Sequence, residues 1–439
     1  MKRTTKILAA LLLVCIALTS FISCKDEGPE FVDYVSSLKL DMNSDSLKQE
    51  VTVKQYVDGD TTHFYVPNSV STTGVLKARY LSINTPESTG KIEEWGKKAS
   101  NFTKTKLKGA SNIIIESDDD KWNADSTGER YLVWVWYRNS ESEDYRNLNL
   151  EILQEGLAIA SNSSQNRYGK LCVDAIAQAK TFKLNVHSKA QDPDFFYGEA
   201  QPLDLNELRI NIKDYDGSKV SFNATVVRYY NNGVFVEAYD EETGMYNGMY
   251  LYYGFTLSSE GEEMLVPGNE LKIVGTVSYY EAGDSYQVSD LQYRTREPDD
   301  PSNLQIISTG NEVPYTELTA ETFLSKVKVE VIEDGEEVIK EFDYANLALG
   351  TSVSMKNLVV TDVYTTDNEE SSSKGAMTLT CKVGDLTIDV RTLVFKDTDG
   401  DVITEDYFMG KTLDVKGVVD CFNGTYQIKV FSLNDITIK

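Results

Sequence analysis

Two stretches of this 439-residue chain echo one another, and the echo restricts the C-terminal half to two copies of one β architecture. Gly217-Ser218-Lys219-Val220-Ser221-Phe222 recurs as Gly350-Thr351-Ser352-Val353-Ser354-Met355, and each leads into a Val-Val strand, at Val226-Val227 and Val359-Val360. Gly268-Asn269-Glu270-Leu271-Lys272-Ile273-Val274-Gly275-Thr276-Val277 recurs as Gly410-Lys411-Thr412-Leu413-Asp414-Val415-Lys416-Gly417-Val418-Val419. A Gly-containing hairpin and a Tyr-Gln strand follow in both, at Tyr286-Gln287 and Tyr426-Gln427. Two homologous β-barrels of about a hundred residues each suit the ordinary size of a domain. They are expected over 204–296 and 309–439. Linkers are expected over 191–203, marked by Asp192-Pro193-Asp194 and Gln201-Pro202, and over 297–308, with Pro298, Asp299, Asp300 and Pro301.

The N-terminal half has a different rhythm. Val51-Thr52-Val53, His63 to Val66 and Lys77 to Ile83 read as strands, the first two separated by a tight Asp58-Gly59-Asp60 turn. Trp95, Ala99, Phe102 and Leu107 give Glu93–Leu107 helical spacing; Ile113–Glu116 and Tyr131–Tyr137 are strands; Leu148–Leu157, closed by Gly156, and Leu171–Leu184 are helices. Strands, helix, strands and two helices predict a five-stranded barrel of OB type with three helices packed on it, over residues 51–190. The chain as a whole is mainly β, with an α+β N-terminal domain, and the two C-terminal repeats look like small OB-fold modules of exported bacterial proteins.

Lys2, Arg3 and Lys6 precede an apolar run from Ile7 to Ile22, too short for a comfortable membrane span and shaped like a secretory signal. It closes on Phe21-Ile22-Ser23-Cys24, which resembles the bacterial lipobox. That resemblance implies a signal peptide over 1–23, lipidation of Cys24, and a polar tether over 24–50. The expected location is the cell envelope, as an outer-membrane lipoprotein. Acidic Asp26 and Glu27 near the anchor resemble surface-export tags. Cys172, Cys381 and Cys421 fit no zinc spacing, and a Cys381–Cys421 disulfide is left open.

Charge divides the chain. Residues 191–439 hold 19 basic and 45 acidic side chains, which accounts for the whole net charge of −26; residues 55–190 balance at 17 and 17. Long-range repulsion of nucleic acid therefore belongs to the C-terminal half. The sequence has only two histidines, His63 and His187, which excludes most His-based hydrolytic centres. A hydrolase built on this chain relies on carboxylates, a metal and arginines.

Those residue types stand in a recognisable order. Val57-Asp58-Gly59-Asp60-Thr61, then Arg79-Tyr80-Leu81-Ser82-Ile83-Asn84-Thr85-Pro86-Glu87, then Gly128-Glu129-Arg130-Tyr131-Leu132 resemble three motifs of the staphylococcal nuclease (thermonuclease) family. Asn149 to Ala158, with Leu153 and Gly156, and Ala177–Lys180 with Leu184–Ser188 resemble its closing helices. Five collinear matches carry more weight than any single one. The resemblance implies a calcium-dependent endonuclease acting on DNA and RNA. Asp60 and Asn84 would be side-chain calcium ligands, and Thr85 would offer its main-chain carbonyl. Glu87 would be the general base, and Arg79 and Arg130 would clamp the scissile phosphate.

Two departures stand out. Asn84 occupies a position where the family has Asp, removing one ligand charge. Glu129 precedes Arg130, and is expected either to hold that guanidinium or to compete for it. The family's nucleotide-stacking tyrosines have no counterparts near Thr127 or Asn162. The competing expectation is a catalytically impaired nucleic-acid-binding or scaffold lipoprotein. Asp397-Thr398-Asp399-Gly400-Asp401 reads as an acidic turn rather than a calcium loop, and Tyr246–Tyr253 as packing or a stacking platform. The C-terminal barrels are expected to be spacers, or binding modules for an unidentified ligand.

Overall fold

The computed structural model describes residues 29–439, apart from 90, 161–162, 334–335, 369–370 and 372. Cys24 and the apolar run before it lie outside the described residues, as does Asn162. Among the described residues no helix is long and apolar enough to cross a membrane.

Three five-stranded barrels follow one another. The first is built from β1 (Lys48–Tyr56), β2 (Thr61–Tyr65), β3 (Val75–Tyr80), β5 (Asn112–Glu116) and β6 (Tyr131–Arg138). The short strands β4 (Ile83–Asn84), β7 (Arg146–Asn147) and β8 (Ile159–Ala160) stand beside it. β1–β2, β2–β3, β5–β6 and β1–β5 pair antiparallel, and a parallel β3–β6 pairing closes the ring. Closure removes the free edges that an open sheet of this length would expose. Phe64, Tyr80, Trp134 and Trp136 are fully buried in or against this barrel. Each such side chain contributes about 2–3 kcal/mol of burial free energy. Helices α1 (Tyr34–Ser37), α2 (Gly96–Lys108), α3 (Leu148–Gln154) and α4 (Gly169–Phe182) pack around it.

The second barrel repeats the connectivity. β10 (Lys219–Tyr230), β11 (Gly233–Asp240) and β12 (Met245–Tyr252) form a meander; β13 (Glu270–Tyr280) and β14 (Ser285–Ser289) close it through β10–β13 and a parallel β12–β14 pairing. β9 (Gln201–Pro202) and β15 (Gln305–Ser308) lie on its edges, and α5 (Leu205–Ile210) packs against its core. After β16 (Thr316–Glu317) comes a separate hairpin, β17 (Lys326–Glu333) and β18 (Glu336–Asp343). The third barrel is β19 (Ser352–Thr365), β20 (Met377–Val383), β21 (Leu386–Arg391), β22 (Thr412–Phe422) and β23 (Thr425–Lys429), with β24 (Ile436–Ile438) on β22. It closes through β19–β22 and a parallel β21–β23 pairing.

The sequence echo is thus a structural repeat. Gly217 and Gly350 donate to the carbonyls of Val277 and Val419 at equivalent places, and Gly268 and Gly410 to those of Val226 and Val360. Gly275 and Gly417 sit where strand four meets strand five. A Cβ there would lie 2.6 Å from the Ser289 carbonyl oxygen and 2.3 Å from that of Lys429. No side chain fits that crossing, which is why glycine recurs at both places.

Several expectations need correction. The tether expected over 24–50 is docked from residue 32 onward: Val35 is buried, and Val32, Tyr34 and Val35 hydrogen-bond to Gln178 and Gln154. The expected linkers are tied down too. Asp192 is buried and accepts the Trp95 N–H at 2.6 Å, while Gln305–Ser308 pairs with β13. The first helix begins at Gly96 rather than Glu93. Cys172, Cys381 and Cys421 are free thiols, so Cys381 and Cys421 form no disulfide.

Candidate functional site

The site grows from the β1–β2 turn. Val57 and Asp58 both donate to the Thr61 carbonyl, and Asp58 Oδ1 accepts the Asp60 N–H at 3.1 Å, so the turn fixes its own acidic residues. Gly59 is pressed against the rest of the domain. A Cβ there would lie 2.8 Å from the Thr85 side chain and 2.9 Å from the Ala99 Cβ, and Thr103 Oγ1 donates to the Gly59 carbonyl at 2.6 Å. Helix α2 thereby holds the turn from behind.

Pairing of β2 with β3 sets Thr61 opposite Arg79, and the parallel β3–β6 pairing sets Arg79 opposite Leu132. Lys77–Ile83 reads as one strand, but Ser82 adopts φ 66° and breaks it. The chain restarts as β4, which pairs with β8, and Asn84 is brought back toward Arg79. Three side chains then close on each other. The Arg79 guanidinium is ion-paired with Asp60 Oδ1 and donates to Asn84 Oδ1 at 2.6 Å. Asp60 Oδ2 accepts the Thr85 N–H at 2.8 Å, and Oδ1 also accepts Thr61 Oγ1 at 3.0 Å.

Asp58 and Asp60 are buried, while Glu87 is half-buried. Burial pushes the Asp58 carboxyl above its ordinary range, against the opposing pull of Arg79, Thr61 and Arg130. Burial also raises Glu87, helped by Asp58 and opposed by Arg79 and Arg130. Burial lowers Arg79, although Asp58, Glu87 and Asp125 favour its charge. The structure therefore gathers Arg79, Arg130, Glu87 and the acidic turn into one electrostatic cluster, as the motif order leads one to expect.

The partner of Arg130 differs from expectation. Its Nε donates to Asp125 Oδ2 at 2.7 Å, whereas exposed Glu129 faces Lys77 at 3.8 Å. Asp125 also accepts from Thr127 Oγ1 at 2.6 Å. Its burial raises the carboxyl, but the Thr127 and Arg130 hydrogen bonds outweigh this and hold it below the usual range. Asp125 is legible in retrospect: an Asp two residues before Thr127, in a Ser-Thr-Gly turn, is a residue that bonds its own loop.

Glu87 is fixed by a residue that sequence reasoning overlooked. Glu93 donates its N–H to the Glu87 carbonyl at 3.0 Å, and Glu93 Oε2 accepts the Glu87 N–H at 3.1 Å. Gly96 passes so close that a Cβ would sit 2.1 Å from the Glu87 carbonyl oxygen. No neighbour can give way there, because the obstacle is backbone.

The donors around Arg79 are all oxygens: the carboxylate of Asp60, the amide of Asn84 and, one residue on, the carbonyl of Thr85, with Asp58 behind. That is the donor class of hard divalent cations. The Asp60 and Asn84 oxygens converge on one guanidinium, so they form a place for positive charge and fit such an ion. The set is not a cluster of acidic or imidazole ligands; among the described residues no group of three or more His, Cys, Asp or Glu has metal-holding geometry. The Asp397 loop satisfies itself, with Asp397 Oδ1 accepting the N–H groups of Asp399 and Asp401. In the Tyr246–Tyr253 stretch, Tyr250 is spent on packing: its ring lies against Phe235 and its hydroxyl donates to the Tyr230 carbonyl.

Residues 77–189 match the family model described as "Staphylococcal nuclease homologue". Arg79, Asn84, Thr85, Glu87 and Arg130 lie inside the match, and the Asp58–Asp60 turn precedes it. A stretch of 125 residues is 32% identical to the uncharacterized protein MJ1439 of Methanocaldococcus jannaschii, covering 24% of this chain and 56% of that protein. The chain thus spans a little over half the length of that relative.

Proposed function

We propose, from the premise that residues 77–189 are a staphylococcal-nuclease-like domain, that this chain is an exported, lipid-anchored, calcium-dependent endonuclease cleaving DNA and RNA with low sequence preference. The observation that carries the reading is the convergence of Arg79, Arg130 and Glu87 beside an all-oxygen donor set. Phosphodiester hydrolysis needs exactly two provisions, a water that can lose a proton and positive charge beside the phosphoryl oxygens. Asp60, Asn84 and the Thr85 carbonyl would hold calcium. A calcium ion bound there supplies positive charge next to the scissile group and makes a nearby water more acidic.

The chain's own residues do the rest. Glu87 accepts the proton of the attacking water; its raised pKa makes it a better base than an exposed carboxylate. Arg130, oriented by Asp125, offers a planar fork to two phosphoryl oxygens. Arg79 exchanges the Asp60 and Asn84 oxygens for those of the substrate, so substrate and metal are received by the same rearrangement. Low sequence preference follows from reading phosphate rather than base edges. By family resemblance the products end in 3′-phosphate.

The test is digestion of plasmid and RNA with calcium, with chelator, and by Glu87→Gln. Release of acid-soluble nucleotides that requires calcium and falls by about 10²–10⁴-fold in Glu87→Gln supports the reading. No release at any calcium level supports the second reading, a binding or scaffold lipoprotein. That reading is favoured by Asn84 and by the fact that Arg79 and Arg130 each already hold a carboxylate. The export part rests on the Lys2–Cys24 segment. Cys24→Ser is expected to move the protein from the membrane to the soluble fraction, and unchanged membrane association would refute the anchor.

A further inference from the structure

The acidic second barrel touches the nuclease domain where Glu87 is held. Asp290 follows β14 with φ 58° and accepts a hydrogen bond from the main-chain N–H of Ile92. Its carboxylate also faces Lys219 Nζ at 3.8 Å and Thr276 Oγ1 at 3.4 Å, both on barrel two. Ile92 immediately precedes Glu93, the residue bonded to both the N–H and the carbonyl of Glu87. From Asp290 to the general base there are thus two hydrogen-bonded steps. The far side of the same segment is anchored by Asp192 on the Trp95 N–H, and Trp95 is held at φ 68°.

Barrel two also grips α2. Lys97 Nζ meets Asp216 Oδ2 at 3.2 Å and Lys104 Nζ meets Glu281 Oε2 at 2.6 Å, while Asp216 Oδ1 accepts the Tyr279 N–H and so is fixed to its own barrel. Exposed pairs of this kind are individually weak. Their placement matters more, because Thr103 of the same helix holds the Asp58-Gly59-Asp60 turn. Both sides of the candidate site, the acidic turn and the Glu87 segment, therefore lean on elements braced by barrel two.

We infer that barrel two is a working part of the nuclease unit rather than a spacer, and that Asp290 is a positioning residue for Glu87, acting through Ile92 and Glu93. This rests on the reading of Glu87 as general base. Displacing a base by about 1 Å costs on the order of 10²-fold in rate without weakening substrate binding. Loss of the Ile92 anchor is accordingly a kcat effect.

The experiment uses the full chain with calcium and compares Asp290→Ala, Asp290→Asn and Glu87→Gln. Asp290→Ala is expected to lower kcat by about tenfold or more, with KM for nucleic acid within about twofold. Asp290→Asn keeps an oxygen that accepts the Ile92 N–H and is expected to restore kcat to within about threefold. Amide exchange at Ile92 supplies a readout independent of turnover: protected in the wild type and in Asp290→Asn, fast in Asp290→Ala. Unchanged kcat in Asp290→Ala while Glu87→Gln is inactive overturns the inference alone. Equal losses in Asp290→Ala and Asp290→Asn also overturn it, since they would assign the effect to charge opposite Lys219. Full activity in Glu87→Gln overturns the reading of the site itself, whatever Asp290 does.

Discussion

Arg79 has two claims on it. In the structure it neutralises Asp60 and Asn84; in the proposed reaction it binds phosphate. The neutral amide at Asn84 bears on both. It weakens the grip on Arg79, since a bond to an uncharged acceptor is roughly half as strong as one to a carboxylate. It also weakens cation binding, because calcium affinity rises with ligand charge. The second effect is larger, a divalent ion gaining more from an added charge than a guanidinium does. Asn84→Asp is therefore expected to tighten calcium binding by about tenfold in a calorimetric titration; equal or weaker binding would show that Arg79 retention dominates. Gly59 is a purely steric matter. Gly59→Ala would drive a methyl into Thr85 and Ala99, and should lower stability by about 1–3 kcal/mol in urea unfolding while releasing Thr85 from Asp60.

At the scale of elements, β2 carries a titration that sets the acid limit of the first barrel. His63 is partly buried between the Lys77 and Lys54 charges; burial chiefly, then those two lysines, depress it to about 4. An unfolded histidine titrates near 6.5, so between about pH 6.5 and 4 the unfolded chain binds a proton that the folded chain refuses. Stability therefore falls as pH drops through that window. Solvent screening of this partly exposed ring reduces the effect to about 1 kcal/mol. His63→Gln should flatten the unfolding midpoint between pH 4 and 6.5, and an unaltered slope would assign the acid sensitivity elsewhere. The helix α2 explains its own late start. Glu93–Trp95 has helical composition, but these residues are occupied with Glu87, Asp192 and barrel two, and the helix begins only where Gly96 can pass the Glu87 carbonyl.

For the whole molecule, the second and third barrels are locked together through a buried carboxylate. Glu237 accepts the N–H of Ser352 at 2.7 Å and its hydroxyl at 2.9 Å. Beside it Gly248 lies against the Leu349–Thr351 backbone, Arg228 pairs with Asp435 at 2.7 Å, and Phe235, Val227 and Val418 form a shared apolar seam. Burial pushes Glu237 up to about 7, the two Ser352 bonds opposing only in part. Its unfolded value is about 4.5, so between those limits the folded state keeps a proton that the unfolded state has lost. Stability of the tandem therefore declines as pH rises through that window, by up to about 3 kcal/mol, the reverse of the histidine effect. Glu237→Gln should remove this slope in thermal unfolding scanned from pH 5 to 8, while retention of the slope would point to another group.

What the sequence determined by itself were the features carried by local pattern. Gly275 and Gly417 mark the repeat because a strand crossing excludes any side chain there, and that demand is written in the chain wherever the crossing occurs. Arg79, Glu87 and Arg130 were legible because phosphate chemistry restricts the residue types and the barrel restricts their order. What only the tertiary structure decided were the partners. Asp125 rather than Glu129 holds Arg130, Glu93 rather than a helix start holds Glu87, and Asp290, about two hundred residues away, holds Ile92. A carboxylate looks the same in sequence whether it faces water or a main-chain N–H. Chain closure chooses among them, because hydrogen bonds reach about 3 Å and sequence separation places no limit on which groups come within that reach.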